Sequence, residues 1–134
     1  MIGDDQEGHL LHNGLTRQIL GSAYDVHTAL GPGLLESVYR TCMAKELRLR
    51  GLECRAEASV PINYKGEALD NGYRADLIVE DRVIVELKAM DKLLPIHHAQ
   101  LLTYLRLTGL KVGLLINFNV SSLRDGIKRV VYKA

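Results

Sequence analysis

Asp76, Glu86 and Lys88 are charged residues set inside two apolar runs, "ADLIV" and "VIVELKA". On a strand, residues two apart point to the same face, so Glu86 and Lys88 share one. A hairpin joining the two runs brings Asp76 to the neighbouring strand, ~5 Å away. Two carboxylates so placed can hold one hard divalent cation, because Mg²⁺ takes a few carboxylates and keeps several waters. The backbone carbonyl of Leu87 offers a further oxygen. Lys88 lies one strand step beyond Glu86 and can reach a water on that metal. There it can orient the water, help deprotonate it, or steady the charge growing on a phosphate. The competing reading is two plain salt bridges, Glu86 with Lys88 and Arg74 with Asp76, since charge pairs between strands are common. The apolar character of both strand faces weighs against it, because buried charges are costly unless paired or metal-bound.

The elements that must position these residues follow from periodicity. Leu15, Ile19, Ala23, Val26 and Leu30 recur every three or four residues and predict a first helix, stopped by "GPG" at 31–33. A second helix is predicted from about Leu35 to Arg50, with Leu35, Val38, Tyr39, Cys42, Met43 and Leu47 facing the core and Gly51 as C-cap. "CRAEASVPINY" alternates loosely and reads as a strand with an irregularity at Pro61. "KGEALDNG" reads as a turn-rich connection. "YRADLIVE" and "RVIVELKA" read as strands joined by a tight turn near Glu80 and Asp81. Pro95 opens a third helix to about 108, with Ile96, Ala99, Leu102 and either Leu101 or Leu105 as its apolar stripe. "LKVGLLINF" is a buried strand and "IKRVVY" a short last one. Hairpin-linked strands followed by a helical crossover predict an α/β (α+β) fold, a mixed sheet with helices packed on it.

"ADLIVEDRVIVELKA" resembles the PD-(D/E)XK nuclease superfamily, in which an Asp on one strand precedes Glu-x-Lys on the next. Ala75 stands where the motif has Pro. "GLLESVY" matches the G-x-x-E-x-x-Y signature of a small bacterial family, with Gly33, Glu36 and Tyr39 in place. "VHTALGPG", "GYRADLIVE" and "HHAQLLTYLRLTGLKVGLLINF" are similar to that family too, so the resemblance runs from about Tyr24 to Arg129. It implies a restriction-endonuclease-like αβββαβ core with an extra N-terminal helix. Gln100 and Tyr104 form Q-x-x-x-Y on one helix face, similar to the exonuclease branch of the superfamily. That branch also carries a Glu on its first core helix, which Glu36 resembles. The resemblance thus implies Mg²⁺ or Mn²⁺ held by Asp76, Glu86, Glu36 and the Leu87 carbonyl, with Lys88, Gln100 and Tyr104 completing the catalytic set. By itself Glu36 equally reads as a first-turn acid complementing the helix dipole.

Other residues are candidates of lesser weight. Tyr39 either hydrogen-bonds a metal ligand or packs. His27 either contacts a phosphate or ligand carboxylate, or sits at the core boundary. Arg74 either contacts phosphate or pairs with Asp76. His97 and His98 are adjacent and cannot both face the site.

Composition bounds these readings. The chain has 134 residues, 47% hydrophobic and 25% charged, which fits one globular domain at 14–134 behind a flexible lead-in at 1–13. One Phe and no Trp make the core aliphatic. A net charge of +1 excludes a strongly basic nucleic-acid binder by bulk electrostatics. Its basic residues are scattered, and any phosphate contact must be local. Two cysteines, Cys42 and Cys54, are too few for a disulfide framework or an iron–sulfur site and point to a reducing cytoplasm. No apolar run approaches a membrane span, and no signal peptide is visible. The expected function is metal-dependent hydrolysis of nucleic-acid phosphodiesters, DNA in preference to RNA, with a homodimer allowed by the resemblance. The alternative is a non-catalytic module binding nucleic acid or protein on the same fold.

Overall fold

A computed structural model describes residues 11–133. The first ten residues of the expected lead-in lie outside them. Two helices come first, α1 (Asn13–Leu30) and α2 (Glu36–Leu49). Strand β1 (Cys54–Ser59) follows, then a hairpin of β2 (Ile62–Tyr64) and β3 (Glu67–Leu69). Next come β4 (Arg74–Val79), β5 (Val83–Lys88), α3 (Pro95–Thr108) and β6 (Val112–Asn117). A short 3₁₀ turn, Leu123–Gly126, leads into β7 (Ile127–Val131).

The main sheet has five strands in the order β1-β4-β5-β6-β7. The pair β5–β6 is parallel and the others are antiparallel. The single parallel pair is what the α3 crossover demands, since parallel neighbours need a long connection. The β4–β5 turn is tight: Glu80 and Asp81 both adopt positive φ (55° and 50°), and Arg82 N–H donates to the Val79 carbonyl (3.0 Å).

Alternation along β4 and β5 divides the core between the two sheet faces. Leu77, Val79, Val83, Val85 and Leu87 pack with Ile19, Ala23 and Val26 of α1 and Tyr39, Met43 and Leu47 of α2. Ile78, Ile84 and Leu115 pack with Leu101, Tyr104 and Leu105 of α3. Helix α3 comes close because Gly113 of β6 has no side chain; a Cβ there would lie 2.8 Å from Leu101 Cδ1. This seating fixes the height at which Gln100 and Tyr104 stand over the sheet.

Two expectations shift. The long strand predicted over 54–64 breaks at Val60–Pro61, and its second half turns back onto β3, inside the segment read as a connection. Lys65 and Gly66, both at positive φ (49° and 82°), make the turn. The buried stripe of α3 is Leu101, Tyr104 and Leu105, while Ile96 is 66% exposed. Leucines occur on several sides of α3, so spacing alone did not select the buried one.

Candidate active site

The β4–β5 ladder runs regularly through Val79↔Val83, Ile78↔Ile84 and Leu77↔Val85. The next step would pair Asp76 with Glu86, and there the ladder stops. The two carboxylates take over the main-chain bonds in crossed fashion. Asp76 N–H donates to Glu86 Oε2 (2.7 Å), and Leu87 N–H donates to Asp76 Oδ2 (2.8 Å). Each acid is therefore anchored by the backbone of the opposite strand. In β5 the N–H and C=O of one residue leave on the same edge. The Leu87 carbonyl thus shares the β4 side with its N–H, where the strands have parted.

The side-chain alternation also slips at Asp76. Ala75 belongs to the α3-side core, whereas Leu77 belongs to the α1–α2 side. The β1 neighbour is irregular as well. Register passes from Ala56↔Leu77 to Ala58↔Ala75, leaving Glu57 opposite Asp76 with φ 50°. Asp76 is consequently reachable from α2. Arg40 Nη1 donates to Asp76 Oδ1 (3.0 Å), and Arg40 Nη2 pairs with Glu57 Oε1 (3.4 Å).

Glu86 is 5% exposed. Burial holds its carboxyl up at about 8, and the neighbouring Asp76 charge pushes the same way. The Asp76 N–H and the Lys88 charge pull it back only in part. Two acids crowded into one poorly solvated place oppose each other's ionisation, and Arg40 pairs with Asp76 alone of the two. Lys88 ends β5, half-buried beside Glu86. Its carbonyl accepts the Phe118 N–H (2.8 Å). Just beyond, the buried Asn117 side chain accepts Met90 N–H (3.1 Å) and donates to Met90 O (2.8 Å). These bonds hold the exit of β5 on β6.

Tyr104, 5% exposed, stands above the pair from α3. Its hydroxyl is pushed up to about 12 by burial first, then by the charge of Glu86, by Tyr73 and by Asp76. It therefore stays protonated and can donate. Gln100, one turn earlier, is half-buried on the same side. The exposed Tyr73 ring meets Tyr104 edge-on at 6.3 Å.

The structure thus brings Asp76, Glu86, Lys88, the Leu87 backbone and Tyr104 together. Glu36 opens α2 one turn before Arg40 and is not drawn in with the other two acids. Among the described residues, no three His, Cys, Asp or Glu side chains gather closely enough to hold an ion. Of the two readings of Tyr39, packing is the one seen. Its hydroxyl donates to Gly31 O (2.6 Å) and accepts Leu34 N–H (3.2 Å), and its ring stacks on Phe118 at 4.5 Å. His27 Nε2 meets Val120 O (2.8 Å), tying α1 to the loop after β6. Arg74 pairs with Asp70 (3.2 Å) instead of Asp76, because the slip in β4 turns Asp76 toward Arg40. His97 Nδ1 accepts the Leu94 N–H (2.9 Å) at the start of α3. Cys42 and Cys54 are free thiols.

Sequence reasoning missed Arg40, Glu57 and Asn117. Arg40 had a signal, its position four residues after Glu36 on one helix face. Asn117 had another, a polar residue closing the apolar run "VGLLIN". Glu57 had none, since its role depends on a backbone irregularity.

The mixed five-stranded sheet, its flanking helices and an acid pair at an opened strand junction define a restriction-endonuclease-like α+β fold. The PD-(D/E)XK nuclease superfamily model matches residues 13–130, and the chain belongs to that superfamily. Among curated proteins no match is found. The solved structure described as "Crystal structure of SSO0001" is similar in fold, with TM-score 0.57 and 20% identity. The likeness covers 94% of this chain, which spans 62% of that one. Among the described residues no helix is long and apolar enough to cross a membrane.

The donor set suits the divalent cation that this superfamily implies. Asp76 and Glu86 are fixed by main-chain N–H groups, and burial together with the Asp76 charge holds the Glu86 carboxyl well above the usual carboxylate range. A hard dication bound by both oxygens would remove that repulsion.

Proposed function

We propose that this protein is a metal-dependent nuclease that hydrolyses phosphodiester bonds in nucleic acid, DNA in preference to RNA. What supports the reading is the crossed pair: two acids from adjacent strands, each locked by the other strand's backbone, with Lys88 beside them.

Asp76, Glu86 and the Leu87 carbonyl would hold Mg²⁺ or Mn²⁺, with Glu86 as the carboxylate. Glu36, at the start of α2, would be the third acid toward the ion. The bound cation supplies Lewis acidity toward water and phosphate oxygens. Lys88 orients the attacking water and offsets the phosphate charge. Tyr104, kept protonated, donates to a phosphate oxygen. Gln100 positions the phosphate or the Lys88 ammonium. Water attacks phosphorus in line and the far ester oxygen departs, leaving a phosphate monoester and a hydroxyl.

The test is incubation with single- and double-stranded DNA and RNA plus Mg²⁺ or Mn²⁺. Cleavage abolished by EDTA and by Lys88→Ala is expected. Cleavage that survives Lys88→Ala would rule out the assigned role of Lys88. The second reading, a binding module without catalysis, draws on the Arg40–Asp76 ion pair, which neutralises Asp76 with no metal. Mn²⁺ calorimetry separates the two, since such a module has no need of the ion.

A further inference from the structure

We propose that Arg40 is a phosphate-binding residue of this site, that Glu57 steers it, and that it serves as the counter-ion of Asp76 until metal and nucleic acid arrive. The proposal rests on the nuclease reading above and adds a contact that reading does not contain.

The geometry is specific. Asp76 has two oxygens with different duties. Oδ2 accepts the Leu87 N–H and is part of the sheet, whereas Oδ1 is met by a side chain from another element. Arg40 reaches that oxygen from α2, donates one N–H to Asp76 and forms a looser ion pair with Glu57 at 3.4 Å. Its side chain is 23% exposed, so it is not sealed from solvent.

Like charges do not share a carboxylate comfortably. A dication on Asp76 and Glu86 repels a guanidinium held at Asp76 Oδ1, so Arg40 must move away as the ion binds. Glu57 gives it somewhere to go. This acid is 65% exposed at its side chain, stands opposite Asp76 in the strand register, and lies outside the carboxylate pair. It sits at φ 50° within a strand, a conformation uncommon for a non-glycine residue, and such positions concentrate at functional sites. Swung toward Glu57, the guanidinium stays beside the carboxylates with donors facing outward. Its planar fork matches two oxygens of a phosphate, which a lysine cannot reproduce. The substrate feature it would take is a backbone phosphate next to the scissile one.

The experiment measures two bindings on the 134-residue chain, wild type and Arg40→Gln. Mn²⁺ affinity is read by calorimetry without nucleic acid. Oligonucleotide affinity is read by fluorescence anisotropy in Ca²⁺ across a salt series. Arg40→Gln is expected to bind Mn²⁺ severalfold more tightly, because the competing cation is gone. It is expected to bind the oligonucleotide about tenfold more weakly, with the log–log salt slope reduced by about one. Weaker Mn²⁺ binding, or an unchanged salt slope, overturns the proposal while leaving the nuclease reading standing. A wild-type protein that binds neither probe overturns both. Should Arg40→Gln fail to fold, Arg40→Lys keeps the charge and loses the fork. A preserved slope with weaker affinity then supports the proposal, and unchanged affinity overturns it.

Discussion

The two halves of the β4–β5 hairpin are built on opposite terms. Near the turn, Leu77, Ile78 and Val79 face Val83, Ile84 and Val85 in a regular ladder, fully apolar and closed to water. One step further the ladder opens, and Asp76 and Glu86 use their carboxylates to bond the main chain that the ladder has released. The first half gains its stability from burial on both faces. The second half keeps an acid pair that is held by the main chain of the opposite strand.

That contrast predicts opposite responses to substitution. Lys88→Ala, in the open half, should lower cleavage by about 10²–10⁴-fold, the usual weight of a group that moves or orients a proton. The melting temperature should scarcely change, since Lys88 is half-buried at a strand end. A variant that loses activity only in proportion to its folded fraction would defeat this assignment. Ile84→Ala, in the closed half, should behave the other way. Ile84 is fully buried between the sheet and α3, so its truncation should cost about 2–4 kcal/mol of stability in denaturant titration. The folded fraction should retain wild-type Mn²⁺ affinity.

The closed half was legible in the sequence because burial leaves a period. Two-residue alternation puts Leu77 and Val79 on one face and Ile78 and Ile84 on the other, and the core is divided that way. The open half was legible in its residue types, for the same alternation put Asp76 beside Glu86. What periodicity could not carry was the slip at Asp76, which depends on Glu57 leaving the extended conformation. Without the slip, Arg74 reads as the partner of Asp76; with it, Arg40 takes that place. Helix α3 failed for a different reason. Leucines occur around its circumference, so only Gly113 and the sheet determine that Leu101 and Leu105 point inward.

The acid pair also sets a pH dependence that the closed half lacks. The Glu86 carboxyl is raised from an ordinary 4.5 to about 8, chiefly by burial and then by Asp76. Between those values the metal-free folded protein holds a proton that the unfolded chain has released. Stability should therefore fall as pH rises through that window and level off above it. Denaturant titrations in EDTA from pH 5 to 9 would show the slope, and Glu86→Gln should flatten it. Parallel curves for the two proteins would mean that Glu86 is ionised throughout. Saturating Mn²⁺ should likewise remove the slope, because the ion takes the place of the proton.

The smallest effect should come from Tyr39, and it bears on what G-x-x-E-x-x-Y is for. Tyr39 is fully buried, stacked on Phe118, with its hydroxyl between the Gly31 carbonyl and the Leu34 N–H. It closes the loop that ends α1 and aims the first turn of α2, where Glu36 begins and Arg40 follows. Tyr39→Phe keeps the stacking and removes only the hydroxyl. Two backbone groups then lose a partner at the edge of the core, which should cost about 1–2 kcal/mol. Mn²⁺ affinity should stay at the wild-type value, because no bond of Tyr39 runs to Asp76 or Glu86. A loss of Mn²⁺ affinity exceeding the loss of stability would instead make the tyrosine a partner of the ion. The spacing from Glu36 to Tyr39 would then serve the open half of the hairpin directly. The bonds to Gly31 and Leu34 argue that it serves by holding the loop, so that α2 can present Arg40 to Asp76.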